Sequence, residues 1–398
     1  MRVFMWLPVA ISIMHLFDSK AQAQDLQLQS LPHPQLQREV SSSPYERLRT
    51  AANKNVVKII SGDPDGGSLK TIDDIATVLS RKSEIRVIPV VGRGSGQNVK
   101  DLLYLNGIDM AVVQPHVLQH FKSTGELGPD IDKQIAYITT LFTDELHVFA
   151  HGGVKGFKDL EGKRVNFGND GSGTQISMRS IFNALGLNVQ EVNTGQADAF
   201  EMMKKGQLDA TVCTCSGPLS NINTIKKEIK GFKLLSVPYT SDLENQFFPG
   251  FISHKDYPDL IPKGQDIDTV AVQNILAVFN WKNKSTERYH RVTRFINYLF
   301  DNIKEFQKPP RQPKWWSVNI AARVSSLKRF REAQAWLDRN SRTSAGKDGS
   351  QASQQKNINR RRVVKRNTKL VSPPPPPVRP KKLNQPLPEW AQNELEPL

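Results

Sequence analysis

Residues 164–186 read RVNFGNDGSGTQISMRSIFNALG and contain one complete folding unit. The short apolar run Arg164–Phe167 predicts a strand, and the glycines of Gly168–Gly173 predict a turn directly after it. Apolar residues then recur at helical spacing over Thr174–Leu185, and Gly186 is typical of the residue after a helix end. A strand, a glycine-rich loop and a helix therefore follow one another without interruption.

Similar units recur along the chain. Strands that alternate with helices predict parallel sheets covered by helices on both faces. Two longer β-type stretches, Thr140–Ala150 and Thr269–Phe279, are expected to carry the chain between two lobes, and Ser285–Asn302 and Ser326–Asn340 have the pattern of closing amphipathic helices. The sequence therefore predicts an α/β fold of two lobes with a cleft between them. The further predicted strands are Val56–Ser61, Arg86–Val91, Asp109–Val113, Gln190–Asn193 and Ala210–Cys213.

The chain has 398 residues, of which 38% are apolar, and this suits one large or two ordinary domains with a core. We place one lobe at residues 55–145 plus 268–340 and the other at 146–267. A leader at 24–54, rich in Gln, Ser and Pro, is expected to be flexible. Two cysteines are too few for a disulfide scaffold or, by themselves, for a zinc module.

The N-terminus has the pattern of an export signal. Met1-Arg2 is followed by the apolar run Val3–Phe17 and by the small-residue box Ala21–Ala23. A bilayer span needs about twenty apolar residues, so this run is short for a membrane helix. We expect cleavage after Ala23 and a soluble, periplasmic mature protein; an uncleaved N-terminal anchor is the alternative.

Much of the net charge of +15 lies near the C-terminus. Residues 341–398 carry twelve Lys/Arg and four Asp/Glu, a net of +8, and include five consecutive prolines at Pro373–Pro377. Because large apolar residues are few, this basic Pro-rich tail is predicted to be disordered. The Arg360–Arg362 cluster would suit nucleic acid, but the export signal argues against such a partner. We expect contact with anionic lipid or cell wall; a tail that binds nothing specific is the alternative.

Three glycine-rich loops, Ser61–Ser68, Gly92–Asn98 and Gly168–Thr174, each follow a predicted strand and open a helix. Glycine lets the backbone approach a ligand closely, and the amides at a helix start favour an anion such as a carboxylate. None of the loops has the Gly-Lys-Ser/Thr or Gly-x-Gly-x-x-Gly pattern of a nucleotide loop. Ligands of open α/β sheets bind at the carboxyl ends of the strands, where these loops lie. The predicted ligand-binding residues are Gly66, Gly67, Ser68, Arg93, Ser95, Gln114, Ser172, Gly173, Thr174, Arg179, Thr214 and Ser216.

The stretch Asp159–Val165, followed by Gly168–Thr174 and Arg179, resembles the signature of the TAXI group of extracytoplasmic solute receptors, which serve TRAP-type transporters. The resemblance implies a two-lobed periplasmic-binding-protein fold of type II connectivity. It also implies capture of a small organic acid or amino acid and its delivery to a membrane permease driven by an ion gradient. Further matches are Gly94-Ser95-x-x-Asn98, Gly107-x-Asp109, Gly206-x-Leu-Asp-Ala210, Tyr257-Pro258 and Thr269–Val272.

Two arginines are candidates for binding a carboxylate, because the guanidinium offers a forked pair of donors. Arg93 lies in the second glycine-rich loop, and Arg179 lies in the second turn of the helix after the third. A surface ion pair is the alternative role for Arg179.

Polar side chains beside the loops are candidates for further ligand contacts. Ser95, Ser172 and Thr174 offer hydroxyl and amide donors; helix capping is their alternative role and is compatible with binding. Gln114, at the end of a predicted strand, is a candidate amide contact with the ligand or a turn residue.

Cys213 and Cys215 lie at and just beyond the end of the predicted strand Ala210–Cys213. We expect their side chains to point to opposite faces of that strand and a bridge between them to be strained, so two free thiols, one of them buried, are predicted. A redox role is the alternative.

Two histidine pairs, His116/His120 and His147/His151, have a spacing that would suit a metal on a helix. No Glu-bearing metalloprotease pattern surrounds them, so structural or surface roles and no metal are predicted. The Trp315–Trp316 pair is expected to pack between the closing helices.

The sequence contains no catalytic motif that we can identify, and we expect neither enzyme activity nor a cofactor. The first hypothesis is an exported solute-binding receptor, a monomer whose lobes close over a small organic anion or amino acid and which then docks on a TRAP-type permease. The second is an exported scaffold or sensor that keeps the binding fold and acts through its basic Pro-rich tail. The third is an exported enzyme that uses Cys215.

Overall fold

The computed structural model describes residues 43–62, 67–128, 130–215, 217–219 and 222–341. The predicted signal peptide, most of the predicted leader, nearly all of the basic Pro-rich tail, and the predicted site residues Gly66 and Ser216 lie outside the described residues. Within the described ranges, no helix is both long enough and apolar enough to cross a membrane.

The chain before Asn55 is a separate unit, and its described part is helix α1 (Pro44–Asn53). Ser43 caps this helix, because its Oγ accepts a hydrogen bond from the backbone amide of Glu46 at 3.2 Å. All residues of α1 are exposed. The structure thus has a helix where the sequence analysis expected a flexible leader. The start signal, a Ser cap followed by Pro, was present in the sequence, but no buried apolar stripe accompanies it.

The described residues from Asn55 onward form a mixed sheet flanked by helices. The strands are β1 (Val56–Ile60), β2 (Arg86–Val90), β3 (Met110–Val113), β4 (Ile135–Ala150), β5 (Arg164–Asn166), β6 (Gln190–Val192), β7 (Ala210–Cys215), β8 (Lys233–Leu234), β9 (Phe248–Ser253) and β10 (Asp266–Phe279). Their order is β2-β1-β3-β10-β4-β7-β5-β6, with β8 beside β4 and β9 beside β10.

The sheet divides into two lobes that share β4 and β10. In the first lobe β1 lies parallel to and between β2 and β3, and in the second lobe β5 lies parallel to and between β6 and β7. Strand β10 runs antiparallel to β3 and β4, and β4 runs antiparallel to β7, so both long strands pass from one lobe to the other. The chain therefore has the two-lobed α/β fold that the resemblance implies; the exact lobe boundaries stay a prediction.

Helices follow the strands in the expected alternation. They are α2 (Gly67–Lys82), α3 (Ser95–Tyr104), α4 (Pro115–Thr124), α5 (Ile131–Gln134), α6 (Gly173–Ala184), α7 (Gln196–Lys204), α8 (Ile222–Glu228), α9 (Glu287–Asp301) and α10 (331–341). Helices α2, α3 and α6 begin at the three glycine-rich loops, as predicted.

Apolar side chains fill both faces of the sheet in each lobe. Ile59 and Ile60 of β1 belong to different core clusters, because successive side chains of a strand point to opposite faces. In the second lobe, Ile181 of α6 packs in one cluster and Phe200 of α7 in another. Each such fully buried side chain contributes about 1.5–3 kcal/mol of transfer free energy. Each lobe therefore has buried side chains on both faces of its sheet, and Ile176 of α6 packs in a cluster of the first lobe.

The chain after β10 returns to the first lobe. Trp315 is 1% exposed, stacks on Phe306 with ring centroids 4.6 Å apart, and donates its indole N–H to Asp74 at 2.8 Å. Trp316 is 71% exposed. The predicted packing role is therefore confirmed for Trp315 and wrong for Trp316.

Candidate functional site

A cavity of about 650 Å³ lies between the two lobes, where the glycine-rich loops meet. Its volume falls in the range of about 300–1,000 Å³ that is usual for small-molecule sites. The predicted site residues that line it are Gly67, Ser68, Arg93, Ser95, Gln114, Ser172, Gly173, Thr174 and Thr214. The fold thus gathers residues that are far apart in the sequence, and their contact with a ligand stays a prediction.

The second and third glycine-rich loops contact each other across the cleft. The backbone amide of Gln97 donates to the carbonyl of Gly171 at 3.0 Å. A Cβ at Gly96 would lie 2.3 Å from that same carbonyl oxygen, and a Cβ at Gly173 would lie 2.4 Å from Oε1 of Gln114. The atom near Gly96 belongs to the backbone, so the close approach of the two lobes requires glycine there. The atom near Gly173 is the end of a side chain that can turn aside.

Hydroxyl groups of the loops bond to the chain itself. Ser95 Oγ accepts a hydrogen bond of 2.7 Å from the backbone amide of Gln114, the residue after β3. Ser172 Oγ caps α6 by accepting a hydrogen bond of 3.1 Å from the amide of Gln175. The hydroxyls of Thr174 and Thr214 share a hydrogen bond of 2.9 Å. Capping is therefore observed for Ser172. A hydroxyl has one donor and two acceptor positions, so these bonds leave the groups able to bind a ligand as well.

The two candidate arginines occupy different environments. Arg93 lines the cavity from an exposed loop, and it has no ion pair within the described part of the chain. Arg179 does not line the cavity: its Nε and a terminal nitrogen each donate to the Glu191 carboxylate at 2.8 Å. These hydrogen bonds raise the pKa of Arg179. The prediction of Arg179 as a ligand contact is corrected to a surface ion pair, because β6 places Glu191 beside the helix.

Polar side chains that the sequence analysis did not select also line the cavity: Asn98, Asp144, Asn274 and Gln312. Asn98 Nδ2 donates to the Val112 carbonyl at 2.9 Å, and its Oδ1 is buried with no partner among the described residues. The Asp144 carboxylate accepts from Asn274 at 2.7 Å. Asn98 belongs to one of the patterns behind the TAXI resemblance, which was the available signal; the other three belong to no motif.

Cys213 and Cys215 form a disulfide in the cavity wall. The expectation of two free thiols on opposite faces of the strand is wrong. Residues i and i+2 of a strand project from the same face, and the two Cα atoms are 5.5 Å apart, within the usual range for a bridge.

His147 lies beside this disulfide on the neighbouring strand. The register of β4 and β7 places it opposite Cys213. Burial lowers the pKa of His147 to about 4, so its imidazole is neutral at pH 7. Its Nδ1 lies 3.0 Å from the Glu145 carbonyl oxygen and therefore carries the hydrogen. One donor atom each from His147, Cys213 and Cys215 lies within 4.8 Å of the other two, a grouping that the sequence analysis missed.

The other three paired histidines include two with clear structural contacts. His151 Nε2 lies 3.1 Å from Asp209 Oδ1, and its Nδ1 accepts from the Gly153 amide at 2.9 Å. His116 is buried and its Nε2 lies 2.8 Å from the Ser177 hydroxyl; burial together with the neighbouring His120 lowers its pKa to about 3. The predicted structural role is confirmed for these two side chains.

Residues 66–330 match the model of the NMT1-like family. Among solved structures, YhfZ from Shigella flexneri is similar, with 14% identity and a TM-score of 0.39 over 67% of this chain and 97% of that one. The periplasmic binding protein BugD has 12% identity and a TM-score of 0.42 over 67% and 88%. The alkanesulfonate-binding protein SsuA from Xanthomonas axonopodis pv. citri, bound to MOPS, has 12% identity and a TM-score of 0.38 over 64% and 75%. Because the family match covers more than half of its residues, this chain belongs to the NMT1-like family.

Proposed function

We propose that this chain is an exported, periplasmic solute-binding receptor of the TAXI group. It captures a small organic acid or amino acid in the cavity between its lobes and delivers it to a TRAP-type permease. The TAXI-like residues support this assignment by their position: the stretch Gly168–Thr174 leads into α6, and several of its residues line the cavity.

The observation that carries the proposal is the meeting of loops from both lobes around one cavity. Arg93 brings a guanidinium from the first lobe, and the start of α6 brings amides and the Thr174 hydroxyl from the second. A carboxylate held between a guanidinium and a helix N-terminus gains charge-assisted hydrogen bonds from both sides. Such a ligand would stabilise the closed arrangement of the lobes.

Acceptor groups of the same cavity favour an amino acid over a simple acid. Gln114 Oε1 and Asn98 Oδ1 are buried and have no hydrogen-bond partner within the described residues. Buried polar atoms are nearly always paired, so these oxygens suit a ligand that carries N–H donors. The Asp144 carboxylate also lines the cavity, but Lys314 Nζ lies 3.5 Å from it and offsets its charge. An amino acid offers a carboxylate and an ammonium together.

The proposed mechanism is binding with hinge motion and no turnover or cofactor. The long strands β4 and β10 connect the lobes, so bending within them would open the cleft. The Gln97–Gly171 bond crosses the cleft, and opening of the lobes would break it. A solute that contacts both lobes binds the closed form more tightly and shifts the population toward it.

A thermal-shift screen of the purified protein against amino acids, dicarboxylates and aromatic acids tests the proposal. A solute at about a hundred times its dissociation constant adds roughly 2.7 kcal/mol to the free energy of unfolding. We expect a shift with one class of acid that is mostly lost in Arg93→Ala. The matched control is Arg81→Ala, an exposed arginine at the far end of α2, roughly 16 Å along that helix from the nearest cavity residue. A panel without any shift would contradict the receptor and favour the tail-centred scaffold.

A further inference from the structure

His147, Cys213 and Cys215 share one face of the sheet, and the two cysteines line the cavity. The antiparallel register pairs His147 of β4 with Cys213 of β7, and Cys215 stands two residues further along the same strand. Paired residues and i, i+2 neighbours project to the same side, so the backbone itself brings the three side chains together. Their donor atoms lie within 4.8 Å of one another.

The chemistry of these three groups is that of a ligand set for a borderline or soft metal ion. Zn²⁺ is bound by cysteine sulfur and histidine nitrogen, and such ions prefer these donors to oxygen. The hydrogen bond of 3.0 Å from His147 Nδ1 to the Glu145 carbonyl is the contact that orients metal-binding histidines, because it leaves Nε2 as the ligand atom. The Tyr257 ring packs edge-on against the imidazole at 5.5 Å and holds it in place.

We propose that the reduced form of this group, the Cys213 and Cys215 thiols with the His147 imidazole, is a binding site for a single Zn²⁺-class ion. A disulfide does not bind the ion, since the metal ligand is the thiolate. The co-reactant is therefore a dithiol reductant. It transfers two electrons and two protons to the Cys213–Cys215 bond and becomes a disulfide itself. Metal binding then releases the two thiol protons and forms two sulfur–metal bonds.

Three protein ligands leave one position of a four-coordinate ion for another donor. Both cysteines line the solute cavity, so that position is available to water or to a donor atom of a bound molecule. The redox state of the pair would thus decide whether a metal ion is part of the cavity wall. This proposal does not depend on the solute-binding function, because its test uses the metal alone.

The test is a titration of the full-length purified protein with Co²⁺ as a spectroscopic substitute for Zn²⁺. One sample is reduced with dithiothreitol under argon and freed of the reductant, and the other is left oxidised. We expect the reduced protein to bind one equivalent of Co²⁺ with a thiolate-to-metal charge-transfer absorption that Zn²⁺ displaces. The oxidised protein should show no such absorption. This comparison requires no substitution and is therefore independent of any folding defect in a variant.

Two variants assign the ligands. His147→Gln should weaken binding by at least about tenfold, since it removes one of the metal's ligands. His151→Gln is the matched control, because His151 bonds Asp209 and not the cysteines, and it should bind as the wild type does. Reduced protein that binds no Co²⁺, or a His147→Gln variant that binds it with unchanged affinity and spectrum, would overturn the proposal.

Discussion

His116 of α4 and Ser177 of α6 are joined by a hydrogen bond, with 2.8 Å between the imidazole Nε2 and the hydroxyl oxygen. Because the Ser177 hydroxyl donates its own hydrogen to the Gly173 carbonyl at 2.7 Å, the imidazole must donate from Nε2. Its Nδ1 is buried and has no partner among the residues described. The hydrogen bond therefore joins α4 of the first lobe to α6, the helix that begins at the cavity. The imidazole that donates it is neutral.

Lowering the pH from 7.5 to 4.5 will reduce the free energy of unfolding. Burial lowers the pKa of His116 to about 3 and that of His147 to about 4, whereas the ordinary value is 6.5. At pH values between the folded and the ordinary pKa, the unfolded chain binds more protons than the folded protein does. The stability that the neutral histidines contribute is therefore fully present above pH 6.5 and is lost as the pH falls. At pH 4.5 each histidine should lower the free energy of unfolding by about 2–3 kcal/mol relative to pH 7.5. Urea unfolding at the two pH values measures the loss.

A pair of variants separates His116 from the other titrating groups. His116→Gln keeps an N–H donor for Ser177 but removes the imidazole, so its loss of stability on acidification should be smaller by about 2–3 kcal/mol. His290→Gln, exposed on α9 and away from both buried histidines, is the control and should lose as much stability on acidification as the wild type. An undiminished pH dependence in His116→Gln would show that the buried imidazole is not its source.

Gly96→Ala will force the lobes apart. The new Cβ would lie 2.3 Å from the backbone carbonyl oxygen of Gly171, which belongs to the opposite lobe and cannot turn aside as a side chain can. We expect a larger radius of gyration in small-angle scattering. Gly156→Ala is the control, since nothing lies within 4 Å of its added Cβ. Equal radii in the wild type and both variants would contradict a contact between the lobes at Gly96.

Trp315→Ala will destabilise the protein far more than Trp316→Ala. Trp315 is 1% exposed and donates to the buried Asp74, which also accepts from the Gln312 amide, so its removal leaves a cavity and takes away one of the hydrogen bonds to Asp74; about 3–5 kcal/mol is expected. Trp316 is 71% exposed, and its replacement should cost less than about 0.5 kcal/mol. Denaturant unfolding of both variants measures the difference, and similar losses would contradict the assigned packing.

The alternation of strands and helices was readable from the sequence because it rests on local spacing. The β5–α6 unit shows this: an apolar run, a glycine loop and a helical stripe follow in order. The start of α10 was not readable: the predicted helix begins at Ser326, whereas α10 begins at residue 331. The chain before it is held by β4, because Tyr137 donates its amide to Lys328 and accepts from Phe330. Such long-range bonds leave no local pattern.

The candidate site was partly readable for the same reason. The glycine-rich loops could be identified from their composition, and residues of all three line one cavity. The partner of Arg179 could not be predicted from a local pattern, because Glu191 lies on a separate strand. Asp144 and Asn274 meet only through the pairing of two long strands that are far apart in the sequence. The prediction for the cysteines was wrong because it placed Cys213 and Cys215 on opposite faces of the strand, whereas residues two apart in a strand share a face.

Isothermal titration of the wild type, Arg93→Ala and Arg81→Ala with the acid that gives the largest thermal shift measures directly whether Arg93 binds a solute in the cavity. Loss of a hydrogen bond to a charged group costs about 1.5–3 kcal/mol, which is roughly a 10- to 100-fold weaker dissociation constant. We expect one solute per chain, that weakening in Arg93→Ala alone, and recovery of the acid chemically unchanged. Equal affinity in all three proteins, or conversion of the acid to a product, would contradict the proposed receptor function.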